Sequence, residues 1–203
     1  MKFWSITLVT IICFLLIAIY YVSFDSRSVP LNNRLDIDVN LITQEGKQFT
    51  LNSLYGKPSI VFFGFTNCVK LCPTTLSNLD GWLKKADPTG NLIGAYFITV
   101  DPRRDNPELM KKFVTKFSDR IIGLSGDPVN VMKVVRRFRI YVNDVLENKS
   151  DSENKYFVDH TTALLLLNAS GSIVGTIAYQ EDSSSAINKI NRLIAENSNK
   201  MPV

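Results

Sequence analysis

From Trp4 to Phe24 the chain runs without a charged side chain (WSITLVTIICFLLIAIYYVSF), and beyond it the apolar positions break into short runs and helical stripes. At roughly 1.5 Å rise per residue, such a run is about long enough to cross a bilayer as one helix. Residues 1–25 are therefore expected to form a membrane anchor, 26–33 a short polar linker containing Pro30, and 34–203 one globular domain. The run is longer than the apolar core of a cleaved signal peptide and no A-x-A site follows it, which favours retention over cleavage. Lys2 precedes the run and Asp25, Arg27 and Arg34 follow it, so the charge bias is weak. The simplest topology keeps the short N-terminus inside and the polar chain outside.

Within the domain, the alternation Leu35-Asp36-Ile37-Asp38-Val39 and the turn residues Glu45-Gly46 predict an entering hairpin. Ser59–Phe65 and Asn91–Val100 are apolar runs rich in β-branched and aromatic residues, the mark of strands buried on both faces. Between them, Thr66–Cys72 reads as a loop. A helix opening at Pro73 then follows, with Leu76, Leu79, Trp82 and Leu83 on one face. Asn106-Pro107-Glu108 and Asp127-Pro128 are helix starts, and Ile121–Leu124 is a short strand between the helices they open. Residues 144–156 read as a polar excursion. Thr162–Leu167 and Ile173–Tyr179 form a late hairpin, and a final helix presents Ile187, Ile190, Leu193 and Ile194. This order predicts an α/β, thioredoxin-like fold with an N-terminal β-hairpin extension and an added helix over about residues 127–139, preceded by one transmembrane helix.

The net charge of +4 is mild and spread out, and no aromatic-interleaved basic stripe points to nucleic acid. Lys133, Arg136, Arg137 and Arg139 give one helix a basic face, read either as a solvated face or as a site for an acidic partner. The scarce residues narrow the chemistry further. The chain has one histidine, His160, and three cysteines, of which Cys13 lies inside the apolar run as a small apolar residue. Cys68 and Cys72 follow the first central strand, at the strand end where such folds place chemistry. Their spacing closes too small a loop to be an effective staple, and structural zinc takes four soft or imidazole ligands. Two thiols and one imidazole suit Cu(I), or a redox-active dithiol beside a polar helper.

Three segments carry a family resemblance: Phe63-Gly64-Phe65-Thr66-Asn67-Cys68-Val69-Lys70-Leu71-Cys72-Pro73, Thr99-Val100-Asp101-Pro102-Arg103-Arg104-Asp105-Asn106-Pro107 and Val158-Asp159-His160-Thr161. In this order they resemble the signature of the Sco/SenC copper chaperones, over about residue 35 to the C-terminus. The resemblance implies copper held as Cu(I), with Cu(II) left open, by Cys68, Cys72 and His160. It implies delivery to the copper-receiving subunit of cytochrome c oxidase during assembly of that enzyme's copper centre. The family usually has proline and aspartate after the first cysteine, where this chain has Val69 and Lys70. Asp101, Arg104 and Asp105 match the family and are read as loop and cap residues. Asp159 is read either as orienting the imidazole or as turn chemistry.

No catalytic residue is implied for a carrier. Cys68 and Cys72 are also redox-active candidates for a thiol–disulfide oxidoreductase that reduces a copper-protein client and needs a thiol reductant partner. Against that alternative, thioredoxin-like oxidoreductases typically use C-x-x-C with a facing cis-proline, and no proline lies near His160-Thr161-Thr162. A membrane copper or redox sensor is a third reading. No Arg- and Ser-rich leader precedes the apolar run. The expected location is therefore a bacterial inner membrane with the domain facing the periplasm, the alternative being the mitochondrial inner membrane.

Overall fold

The most buried segments are those with the densest apolar runs. Ser59–Gly64 (β3) has all six residues buried, and Leu164–Leu167 (β8) is buried throughout. The computed structural model describes residues 39–146 and 156–198, all within one unit spanning residues 35–203. The expected anchor and linker over residues 1–33 lie outside the described residues. Among the described residues, no helix is long and apolar enough to cross a membrane.

β3 pairs in parallel with Gly94–Thr99 (β4), from Ser59 opposite Gly94 to Gly64 opposite Thr99. β4 pairs in parallel with Ile122–Ser125 (β5). On its other side β3 pairs antiparallel with β8, which pairs antiparallel with Ile173–Ile177 (β9). The order β4-β3-β8-β9 is the expected thioredoxin-like core, and β5 extends it. A hairpin forms across the expected Glu45-Gly46 turn, with Asn40–Thr43 (β1) and Gln48–Thr50 (β2) as its strands. Residues 35–38 of the alternation expected to enter it lie outside the described residues. The hairpin joins through β1 antiparallel to β5, giving the sheet β2-β1-β5-β4-β3-β8-β9. Its turn is set by Gly46 at φ 77° and by Thr43 Oγ1, which accepts the N–H groups of Glu45 and Lys47.

The helices begin where their caps are. Leu71–Ala86 (α1) buries Leu76, Leu79, Trp82 and Leu83. Asn106 accepts the Leu109 N–H at the head of Pro107–Val114 (α2). Asp127 accepts from Val129 and Asn130 at the head of Pro128–Arg137 (α3), the added helix. Ser183–Ser198 (α4) buries Ala186, Ile190 and Leu193 and packs against α1.

Three expectations change. α1 starts at Leu71, so Cys72 and Pro73 belong to its first turn. Proline is tolerated there because first-turn N–H groups have no intrahelical acceptor. Part of the polar stretch expected as an excursion is strand: Val142–Leu146 (β6) pairs antiparallel with Tyr156–His160 (β7) in a separate two-stranded sheet. Val158 and His160 of β7 are buried with Asp159 exposed between them, an alternation too short to read as a strand in the sequence. Residues 147–155 lie outside the described residues. His160 consequently ends a strand, whereas the sequence placed it just ahead of the strand expected from Thr162.

Candidate metal centre

The site grows from the end of β3. Gly64 closes that strand at a point where no side chain fits. A Cβ there would stand 2.6 Å from Phe97 Cε2 and 2.8 Å from Cys72 Sγ, both closer than contact allows. The glycine thus lets the second thiol seat against the strand. The chain then turns, the Cys68 N–H donating to the Phe65 carbonyl over 3.3 Å. α1 follows with Lys70 as its N-cap residue, and the Cys72 N–H, in the first helical turn, donates to Cys68 Sγ at 3.4 Å. First-turn N–H groups need an acceptor from outside the helix, and here a sulfur supplies it.

This geometry divides the two thiols. The Cys68 thiol is lowered to about 6, chiefly by the hydrogen bond from the Cys72 thiol, against the opposing effect of burial and with help from the Cys72, Leu71 and Lys70 N–H groups. The Cys72 thiol is pushed far above the ordinary thiol range because it donates that hydrogen bond and is buried. The charge on Cys68 and the Asp105 carboxylate add to the effect. Near neutral pH the pair therefore holds one proton, on Cys72, with Cys68 a thiolate. Both cysteines are free and buried.

His160 reaches the same end of the domain from β7, opposite Val142. Its ring meets Phe65 edge-on, centroids 5.8 Å apart and planes at 82°, with Phe62 at 6.5 Å. Nδ1 lies 2.8 Å from the Thr161 carbonyl. A carbonyl only accepts, so the neutral ring carries its proton on Nδ1 and leaves the Nε2 lone pair for a ligand. Thr161 is itself fixed, its N–H donating to the Tyr141 carbonyl and its Oγ1 accepting the Tyr141 N–H, each at 3.1 Å. Asp159 is exposed while its strand neighbour His160 is buried, which places the two on opposite faces of β7. The hydrogen bond that fixes the imidazole is the Thr161 carbonyl's.

The second motif supports the first. Asp105, 1% exposed, accepts the Thr66 N–H at 3.0 Å, the Thr66 hydroxyl at 2.5 Å and the Thr99 hydroxyl at 2.6 Å. It thereby ties the end of β4 to the residue two places before Cys68. Burial raises the Asp105 carboxyl, and the Thr66 and Thr99 bonds partly offset this. Arg104 pairs with Asp101, and its guanidinium carbon lies 6.0 Å from the centre of the Phe65 ring. Phe65 thus contacts both the imidazole and a cation. The reading of Asp101, Arg104 and Asp105 as loop and cap residues agrees with these bonds, but their role in holding the cysteine loop was not visible in the sequence. Gly64 and Phe65 were also missed as site residues. The signal for them was a glycine between two aromatics at the end of an otherwise continuous strand pattern.

Of the three expected ligands, the structure brings Cys68 and Cys72 together and sets His160 against the adjoining Phe65. Among the described residues, no group of three His, Cys, Asp or Glu side chains is close enough to hold one metal ion. The donors nonetheless suit a soft monovalent cation: a thiolate, a second thiol beside it and a neutral imidazole with a free nitrogen. Enclosing an ion with all three requires the His160 ring and the thiols to approach each other.

Known proteins resemble this chain over most of its length. The family model described as SCO1/SenC matches residues 29–195. The chain is 33% identical over 156 residues to "Protein SCO2, mitochondrial" of Saccharomyces cerevisiae, covering 76% of this chain and 51% of that protein. It spans about half the length of the yeast relatives it matches. The structure of Bradyrhizobium japonicum ScoI with copper bound superposes with a TM-score of 0.69 at 34% identity, covering 76% of this chain and 96% of that one. The crystal structure of yeast Sco1 gives a TM-score of 0.70 at 31% identity, covering 78% and 96%.

Proposed function

The chain belongs to the SCO1/SenC family, and from that premise we propose that it is a copper metallochaperone. In this reading it binds Cu(I) through Cys68, Cys72 and His160 and delivers it to the copper-receiving subunit of cytochrome c oxidase. The observation that carries the proposal is the Cys72 N–H bonded to Cys68 Sγ at the head of α1, with both thiols free. A soft cation prefers thiolate sulfur, and Cys68 is already ionised near neutral pH. Cys72 gives up its proton as the ion enters. His160 offers Nε2 as third donor, its ring steadied by the Thr161 carbonyl and the Phe65 edge. Copper bound in the relatives' structures supports the choice of metal.

Residues 1–25 serve in this proposal as a single-pass anchor in a bacterial inner membrane, with the domain in the periplasm; a mitochondrial inner membrane is the alternative. The test is Cu(I) titration against a chromophoric chelator. One ion per chain is expected, with binding lost in Cys68→Ser and Cys72→Ser. His160→Ala should hold copper at least about tenfold more weakly, one ligand being worth more than about 1.4 kcal/mol, while its dithiol still oxidises. Unchanged affinity in His160→Ala sinks the three-ligand reading.

The split between the two thiols favours a second activity, thiol–disulfide exchange. Cys68 thiolate attacks a client disulfide, forms a mixed disulfide and releases one client thiolate. Cys72 loses its proton, displaces the second client thiolate and closes the Cys68–Cys72 bond. The client gains two electrons, and a thiol reductant must return them to this chain. Reduction of a client disulfide by the copper-free protein, lost in Cys68→Ser, tests this.

A further inference from the structure

The two thiols sit below a rim that is both apolar and basic. Val69, directly after Cys68, is 83% exposed, and Tyr141, clamped to Thr161 beside His160, is 58% exposed. Around them Lys70, Arg103, Arg136 and Arg139 are exposed. Arg103 lines a cleft of about 130 Å³ with Met132 and Val142, and Val142 is the register partner of His160. Arg136 stands one helical turn beyond Met132 on α3. Arg139 takes the left-handed conformation, φ 54°, in the turn that leads from α3 to Tyr141. Among the described side chains, the acids nearby do not balance these cations. Asp101 and Asp105 are buried, Asp101 is paired with Arg104, and the Asp127 carboxylate caps α3, leaving Asp159 exposed on β7.

We propose that this rim is the docking surface for the protein that takes metal from Cys68 and Cys72, and that this partner presents acidic groups around an apolar contact. The proposal rests on the carrier reading of the same site. Two features favour a protein over an anionic lipid surface. The thiols are buried, so exchange requires partner side chains to enter the rim. The cations also come from three separate segments, the cysteine loop, the loop after β4 and the end of α3, and are accompanied by an exposed valine and tyrosine.

The experiment uses the full chain in neutral-lipid nanodiscs and, as probe, the reduced copper-receiving oxidase domain from the same organism. Association is followed by stopped flow at varied salt. The on-rate is expected to fall about tenfold between roughly 0.05 and 0.3 M salt. Reversing two cations together, Arg103→Glu with Arg136→Glu, should lower the low-salt on-rate by about tenfold or more and leave Cu(I) affinity unchanged. Val69→Ser and Tyr141→Ser should raise the off-rate. Arg192→Glu, on α4 beside the β9 edge, should change neither. A salt-independent on-rate, or one indifferent to the double reversal, overturns the proposal. It is also overturned if the double reversal abolishes binding to phosphatidylglycerol vesicles while the on-rate holds, which assigns the cations to lipid. If the chain takes up no Cu(I), the carrier reading fails, and association measured on the copper-free, reduced chain still decides the docking surface.

Discussion

Cys72 donates its backbone N–H to the sulfur of Cys68, 3.4 Å away, and the same pair shares a single thiol proton near neutral pH. The helix start and the loop before it therefore make two chemically different cysteines out of neighbours in one motif. Asymmetry of this kind can be measured without any metal.

In a Cys13→Ser background, thiolate absorbance should show one group titrating near pH 6, the value to which Cys68 is lowered, and none in the ordinary range near 9. Alkylation should follow the same curve and label Cys68 first. Cys72→Ala removes the thiol that donates to Cys68, so the Cys68 midpoint should move up towards 9. A midpoint that stays near 6 in Cys72→Ala shows that the backbone N–H groups set it instead.

The same shifts set a pH profile for stability. Cys68 is depressed in the folded state, so its contribution is present above the unfolded value of 9.0 and is lost as pH falls through about 6. Cys72 is raised, so its contribution is present below 9.0 and is lost as pH rises beyond it. Urea unfolding of the reduced protein should thus show the pair's contribution rising from about pH 6 to a maximum near 9 and then declining. Cys68→Ser should flatten the rising limb.

Two buried aspartates should respond to acid in opposite directions. Burial raises Asp87, but the Leu92 N–H, the Thr89 hydroxyl, the Ile93 N–H and the Arg120 charge together leave it below its usual value. Its contribution is therefore lost as pH falls below 3.8. Asp105 is raised, so its contribution is strongest below 3.8 and diminishes as pH climbs through its folded value. Asp87→Asn should weaken acid sensitivity, and Asp105→Asn should not. Asp105→Ala should cost about 3 kcal/mol at neutral pH, since three donors lose their acceptor. It should also loosen the Thr66 loop, read as faster amide exchange at Cys68.

Gly64→Ala should destabilise the domain by about 1–3 kcal/mol, because the added methyl overlaps Phe97 and the Cys72 sulfur. Denaturant unfolding with an unchanged m-value checks this. A neutral effect means the strand end gives way more easily than its packing implies.

Nitrogen NMR of neutral His160 should report the Nδ1–H tautomer, as the bond to the Thr161 carbonyl requires. The Nε2–H tautomer, if observed, removes the free lone pair on which ligation by this residue depends.

Much of this architecture was legible in the chain. The apolar runs of β3, β4 and β8 and the stripes of α1 and α4 follow directly from periodicity. Asn106 and Asp127 announce their helices because a short polar side chain accepts the first free N–H groups. The β6–β7 ribbon was not legible, since its alternation of buried Val158, exposed Asp159 and buried His160 is too short to announce a strand. The start of α1 at Leu71 was obscured by Pro73, which reads as a first helical position but stands in the third.

Sequence alone determined which soft donors the domain has to offer, two cysteines and one histidine, and the order of elements that carries them. Which atoms meet was decided only in three dimensions. Asp105 holds Thr66 across 39 positions, Phe65 lies between Arg104 and His160, and Gly64 leaves room for a sulfur eight residues on. The physical reason is that a pattern of apolar positions encodes which face is buried. The sharing of a thiol proton, the tautomer of an imidazole and the clearance above a glycine depend on distances of a few tenths of an ångström, which are set once the elements have packed.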